Sequence, residues 1–136
     1  MFNPPVIAVV DDEEAIREAL SDLLLVMGYS CQAFDRAEAF LAAHGTERFD
    51  CLITDIRMPG MNGLELLQHL KAAGSTLPVI IVTSMNDPLA RSRALESGAH
   101  AYLTKPVTDD VLLESLKTAL PDSDIPRGEE EGPAGC

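Results

Sequence analysis

Asp11, Asp12, Asp55, Thr83 and Lys105 are the side chains in this sequence best placed to share one reaction. Each follows a short apolar run: IAVV leads into Asp11-Asp12, CLIT into Asp55, VIIV into Thr83-Ser84, and AYLT into Lys105. Three carboxylates beside one ammonium leave a formal charge of −2, which like-charge repulsion makes unstable unless protons or a divalent cation compensate. Magnesium suits such a cluster, because it binds through one or two carboxylates, waters and a phosphate. A shared proton is the alternative. A carboxylate attacking phosphorus needs no deprotonating base at neutral pH; its difficulty is that one anion must approach another, and Mg2+ together with Lys105 would remove that repulsion. Taken singly, each residue also has an ordinary reading: Asp11 and Asp12 as caps of the first helix, Asp55 as a loop acid, Thr83 as a helix cap, Lys105 as a surface charge.

These residues meet only if the apolar runs are strands pointing the same way. Val6 to Val10, Ser30 to Phe34, Cys51 to Thr54, Val79 to Val82 and Ala101 to Leu103 are short and bounded by turn residues, as strands buried on both faces should be. Between them lie segments with helical spacing. Ile16, Ala19, Leu20, Leu23, Leu24 and Met27 recur up to Gly28; a short helix covers Ala37 to Ala43; Leu64, Leu67 and Leu70 mark Gly63 to Ala73, with Gly74 as its stop. Asp87-Pro88 is a capping carboxylate followed by proline at the first helical position, opening a helix that Gly98 closes. Thr108 caps a last helix carrying Leu112, Leu116, Ala119 and Leu120 inward, with Asp109 and Asp110 near its positive end. Strictly alternating strands and helices predict an α/β, doubly wound parallel five-stranded sheet with helices on both faces. In such sheets ligands bind at the carboxyl ends of the strands, where the polar residues fall.

The composition agrees. A chain of 136 residues with 46% hydrophobic residues suits a single domain with a real core. No stretch is long enough to cross a bilayer, and Met1 to Pro5 lacks the pattern of a secretory signal, so a cytoplasmic location is expected. Cys31, Cys51 and Cys136 lack metal-like spacing; the first two read as small apolar residues in strands. A net charge of −12 argues against nucleic-acid binding. Residues 121–136, PDSDIPRGEEEGPAGC, have little to bury and are expected to be a disordered acidic tail or linker after a domain of residues 1–120.

Taken together, VVDDEE, TDIRMPGMNG, VTS and LTKP resemble the receiver (phosphoacceptor) domain of bacterial two-component response regulators, over roughly residues 5 to 120. The wording of VDDEEAIREAL and DIRMPGMNGLELL is most similar to receivers of regulators that carry a C-terminal helix-turn-helix output domain; the residues after Leu120 are too few to build one, which suits either a single-domain receiver or one ending in its linker. The resemblance implies the flavodoxin-like strand order 2-1-3-4-5, a cis Lys105-Pro106 bond, and phosphorylation of Asp55 by a histidine kinase or phosphotransfer protein. It implies that Asp12, Asp55 and the backbone carbonyl of Arg57 bind Mg2+ directly and Asp11 through water. Thr83 would hydrogen-bond a phosphoryl oxygen, Lys105 would pair with it, and Tyr102 would relay the change to a face built from the last two helices and the strand between them. A phosphorylation-dependent homodimer through that face is a further implication. Ser84 stands where a smaller residue is usual, which would tighten access; Arg57 and Met85 would influence dephosphorylation.

Other classes fit less well. A haloacid-dehalogenase-like phosphotransferase needs a second acid two positions after its nucleophile, where this chain has Arg57. A flavodoxin-like carrier needs a hydroxyl- and glycine-rich loop after the first strand, where Asp11 to Glu14 would repel a phosphate. A protein-binding pseudo-receiver would have a broken site. The expected role is therefore a signalling domain rather than an enzyme, one that assists its own phosphorylation and dephosphorylation.

Overall fold

A computed structural model describes residues 4–120, which form a five-stranded parallel sheet flanked by five helices. The strands are β1 (Val6–Val10), β2 (Ser30–Phe34), β3 (Cys51–Thr54), β4 (Val79–Thr83) and β5 (Ala101–Thr104), in the order β2-β1-β3-β4-β5. The helices are α1 (Glu14–Val26), α2 (Ala37–His44), α3 (Gly63–Ala72), α4 (Pro88–Glu96) and α5 (Asp109–Ala119). The expected fold class and strand order are both observed.

Alternation along the strands sorts the core into two layers. Ala8, Val10, Leu52, Val79 and Ile81 pack with α2, α3 and α4 through Phe40, Leu66, Leu70 and Ala94. Ile7, Val9, Ile53, Ile80 and Val82 face the other way, onto Leu24 of α1 and Leu112 and Leu116 of α5. Because both faces are covered, the strands need to be apolar at every position, which is why they read as runs.

β4 and β5 each extend one residue beyond the expected ends, since the ladder continues to Thr83 opposite Thr104. α2 runs on to His44, whose ring stacks on Phe40 at a centroid distance of 5.3 Å. Asp87 and Thr108 cap α4 and α5 as expected, accepting from Leu89 N and Val111 N. Cys51 is buried in β3, and burial pushes its thiol up to about 12. The Lys105-Pro106 bond is cis. Among the described residues, no helix is long and apolar enough to cross a membrane. The expected tail, residues 121–136 with Cys136, lies outside the described residues.

Candidate phosphoacceptor site

The parallel sheet brings Asp11, Asp55, Thr83 and Lys105 to one edge, since Thr83 ends β4 and the others directly follow β1, β3 and β5. At the centre lies the Lys105 ammonium, 2.9 Å from Asp55 Oδ2 and 3.1 Å from Asp11 Oδ2. Both carboxylates are buried, and Glu13 adds an exposed carboxylate 3.8 Å from the same nitrogen. The electrostatic conflict is therefore narrower than three clustered acids would produce. Asp12 is exposed, so the charges brought together are two buried carboxylates and one half-buried ammonium.

Burial raises the Asp11 carboxyl above its ordinary value, although hydrogen bonds from Glu13 N–H and Lys105 pull the other way and Asp55 adds a smaller upward push. Burial works against the Lys105 ammonium, but its bonds to Asp55 and Asp11 outweigh that effect and hold its pKa above the ordinary value. Asp11 is locked further by Glu13 N donating to its Oδ1 at 2.9 Å and by Arg17 Nη1 donating to its carbonyl at 2.8 Å. The ordinary reading of Asp11 and Asp12 as helix caps does not hold: Glu13 is the N-cap of α1, and it has no side-chain cap bond.

Asp55 is held by the chain around it. Its N–H donates to Val10 O at 3.1 Å, and its Oδ1 accepts from Ile56 N at 2.6 Å. The loop from Asp55 to Asn62 is closed at its base by Gly63 N donating to Ile56 O at 2.9 Å. That closure requires glycine: a Cβ at Gly63 would overlap the Asp55 carbonyl oxygen. Asn62 and Glu65 then open α3 with reciprocal bonds, a capping box legible in the N-x-x-E spacing. At the loop's tip, Glu38 of α2 accepts from Met61 N at 3.0 Å. Beside it opens a cleft of about 610 Å3 lined by Asp12, Asp35, Arg36, Glu38, Pro59 and Gly60.

Thr83 and Tyr102 are both buried, and both bind Met85. Thr83 Oγ1 accepts from Met85 N at 3.2 Å, and the Tyr102 hydroxyl donates to Met85 O at 2.6 Å. The tyrosine ring therefore lies in the interior with its hydroxyl bonded. Ser84 and Arg57 are exposed, and Met85 is half-buried.

The sequence matches the family described as the response regulator receiver domain over residues 7–117. The chain belongs to this family. Receivers are signalling domains of two-component systems; they interact with kinases and generally bind magnesium at the phosphorylation site. This receiver is 40% identical over 114 residues to the transcriptional regulatory protein FixJ of Bradyrhizobium diazoefficiens, an alignment covering 84% of this chain and 56% of that one. It is 42% identical to the DNA-binding transcriptional regulator NtrC of Proteus hauseri, covering 82% of this chain and 24% of that one. Among solved structures it superposes on FixJ-N with a TM-score of 0.79 at 35% identity, covering 86% of this chain and 94% of that one. Full-length FixJ from B. japonicum gives 0.82 at 38% identity, covering 88% and 59%. The receiver spans about half the length of FixJ and of the response regulator proteins TmoT and TodT.

No three His, Cys, Asp or Glu side chains among the described residues are already gathered as metal ligands. The donors the family would use are nonetheless the right kind: carboxylate and carbonyl oxygens, few in number, around a site where a hard cation keeps several waters.

Proposed function

We propose that Asp55 accepts a phosphoryl group from the phosphohistidine of a partner kinase or phosphotransfer protein. The observation that carries this reading is the Lys105 ammonium held against Asp55 Oδ2 at the carboxyl edge of the sheet. An Asp55 oxygen forms the new bond to phosphorus while the phosphorus–nitrogen bond of the donor breaks, its electron pair staying on the histidine ring. Lys105 offers its positive charge to the transferred oxygens, and the Thr83 hydroxyl supplies a hydrogen bond to one of them. Asp12, Asp55 and the Arg57 carbonyl would hold magnesium, with Asp11 acting through water. When bound, magnesium supplies the further positive charge that lets one anion approach another.

Thr83 and Tyr102 would carry the change to α4, β5 and α5, where Leu89 and Val111 are exposed and available to a partner or a second copy of the chain. Residues 1–120 act as one receiver unit in this reading, located in the cytoplasm, with a histidine kinase or phosphotransfer protein as partner. The net charge of −12 fits a role without direct nucleic-acid contact. Incubation with magnesium and a small-molecule phosphodonor, followed by intact mass, should show one added phosphoryl group in the wild type and none in Asp55→Asn. An unmodified wild type, where a control receiver reacts, would overturn the reading.

A further inference from the structure

Glu38 lies on α2, outside the motifs that mark the site, yet it makes a hydrogen bond across 23 positions to the loop that follows Asp55. That loop is closed at its base through Gly63 and Ile56, and Met58 and Met61 pack against the core, but at the tip the Met61 N–H is held from outside the loop. Glu38 Oε2 holds the tip by accepting from Met61 N, and the same carboxylate lies against Gly60, where an added Cβ would stand 2.7 Å from Oε2. Gly60 has φ +76°, so glycine serves both the turn and the close approach of the carboxylate. The N–H groups of Glu38 itself and of Met61 hold this carboxyl below its ordinary value, so the acceptor is charged at neutral pH. Glu38, Gly60 and Asp12 line the same cleft.

We propose that Glu38 is a positioning residue for the magnesium site: by pinning Met61 it fixes the course of Arg57 to Gly60, and with it the Arg57 carbonyl that would share the ion with Asp12. This rests on the assignment of that carbonyl and Asp12 as ligands. The bond is exposed, so its loss should leave the metal-free fold nearly intact while the loop samples more positions.

The test compares wild type, Glu38→Ala and Glu38→Gln. Apparent magnesium affinity is read from the rise in melting midpoint with magnesium at constant ionic strength, and loop motion from amide exchange at Met61. Glu38→Ala should bind magnesium about 10-fold more weakly, the low end for loss of an outer-shell partner, with faster Met61 exchange and an unchanged metal-free midpoint. Phosphoryl gain should slow at limiting magnesium and recover at saturation. Glu38→Gln, whose amide oxygen still accepts from Met61 N, should behave as wild type. Wild-type affinity in Glu38→Ala would overturn the proposal, as would a Glu38→Gln variant as impaired as alanine. A wild type that gains a phosphoryl group but shows no magnesium response would remove the ligand assignment and this proposal with it, while leaving Asp55 as phosphoacceptor.

Discussion

Thr83 and Tyr102 hold opposite ends of one residue: the threonine hydroxyl accepts from Met85 N–H, and the tyrosine hydroxyl donates to Met85 C=O. Any movement of Thr83 toward a phosphoryl oxygen must release or drag Met85, and Tyr102 feels it through the same backbone. Each bond is worth on the order of 1 kcal/mol, a scale at which a two-state packing can be biased. Thr83→Ala should still accept a phosphoryl group but lose most of the phosphate-dependent change in association, measured by light scattering. In a double-mutant cycle with Tyr102→Phe, denaturant unfolding should give a coupling of about 0.5 kcal/mol or more. Strict additivity would mean that Met85 does not link them.

Lys105 pairs with two buried carboxylates and offsets one of their two charges. Replacing it with Ala leaves both without their cation, and losing one partner of a buried ion pair costs about 3 kcal/mol or more. Denaturant unfolding of Lys105→Ala at pH 7 should show a loss of that order. Added magnesium should restore part of it, because a cation bound only to the folded state stabilises by mass action.

Asp11 has its folded pKa raised by burial. For an acid shifted upward, the folded state binds protons more readily than the unfolded chain, so its contribution is fully present below the unfolded pKa and is lost as pH rises through the folded one. Asp11→Asn should therefore melt higher than wild type at pH 7 in chelator, and the difference should shrink as pH falls toward the ordinary aspartate range. Asp12 is exposed, so Asp12→Ala should give little of this metal-free gain. Melting curves across pH for both variants check the contrast.

Gly63 is in contact with the backbone of the residue that carries the reactive carboxylate. The obstacle to a Cβ is main chain, which cannot swing away as a flexible side chain could. Gly63→Ala should lower stability by about 1–3 kcal/mol, as overpacking does, and should slow phosphorylation by displacing Asp55. A variant as stable and as reactive as wild type would show that the loop relaxes freely.

Much of this was readable in the sequence because the reacting groups lie directly after strands, and a parallel sheet gathers strand ends without further information. The meeting of Asp55 and Lys105 follows from that rule, and the helices on both faces follow from the alternation of strands and helices along the chain. Glu38 did not, since nothing local distinguishes a surface glutamate on a short helix from one that reaches Met61. The depth of Asp11 relative to Asp12 was also hidden: adjacent carboxylates look alike in sequence, and only the turn at Glu13 N–H decides which is buried. Tyr102 was recognisable by position, but whether its ring lies inside depends on an acceptor, Met85 O, supplied by a loop with no marked pattern.

The burial of Cys51 turns β3 into its own reporter. A thiol raised to about 12 is almost never thiolate at neutral pH, and it is enclosed as well, so alkylating reagents reach it only when the strand opens. The chain has no tryptophan to follow by fluorescence. Its labelling clock, read by mass against the faster half-buried Cys31, instead times the opening of the strand that leads to Asp55. Magnesium or a phosphoryl group that tightens that strand should lengthen the clock, without any residue being substituted to carry the label.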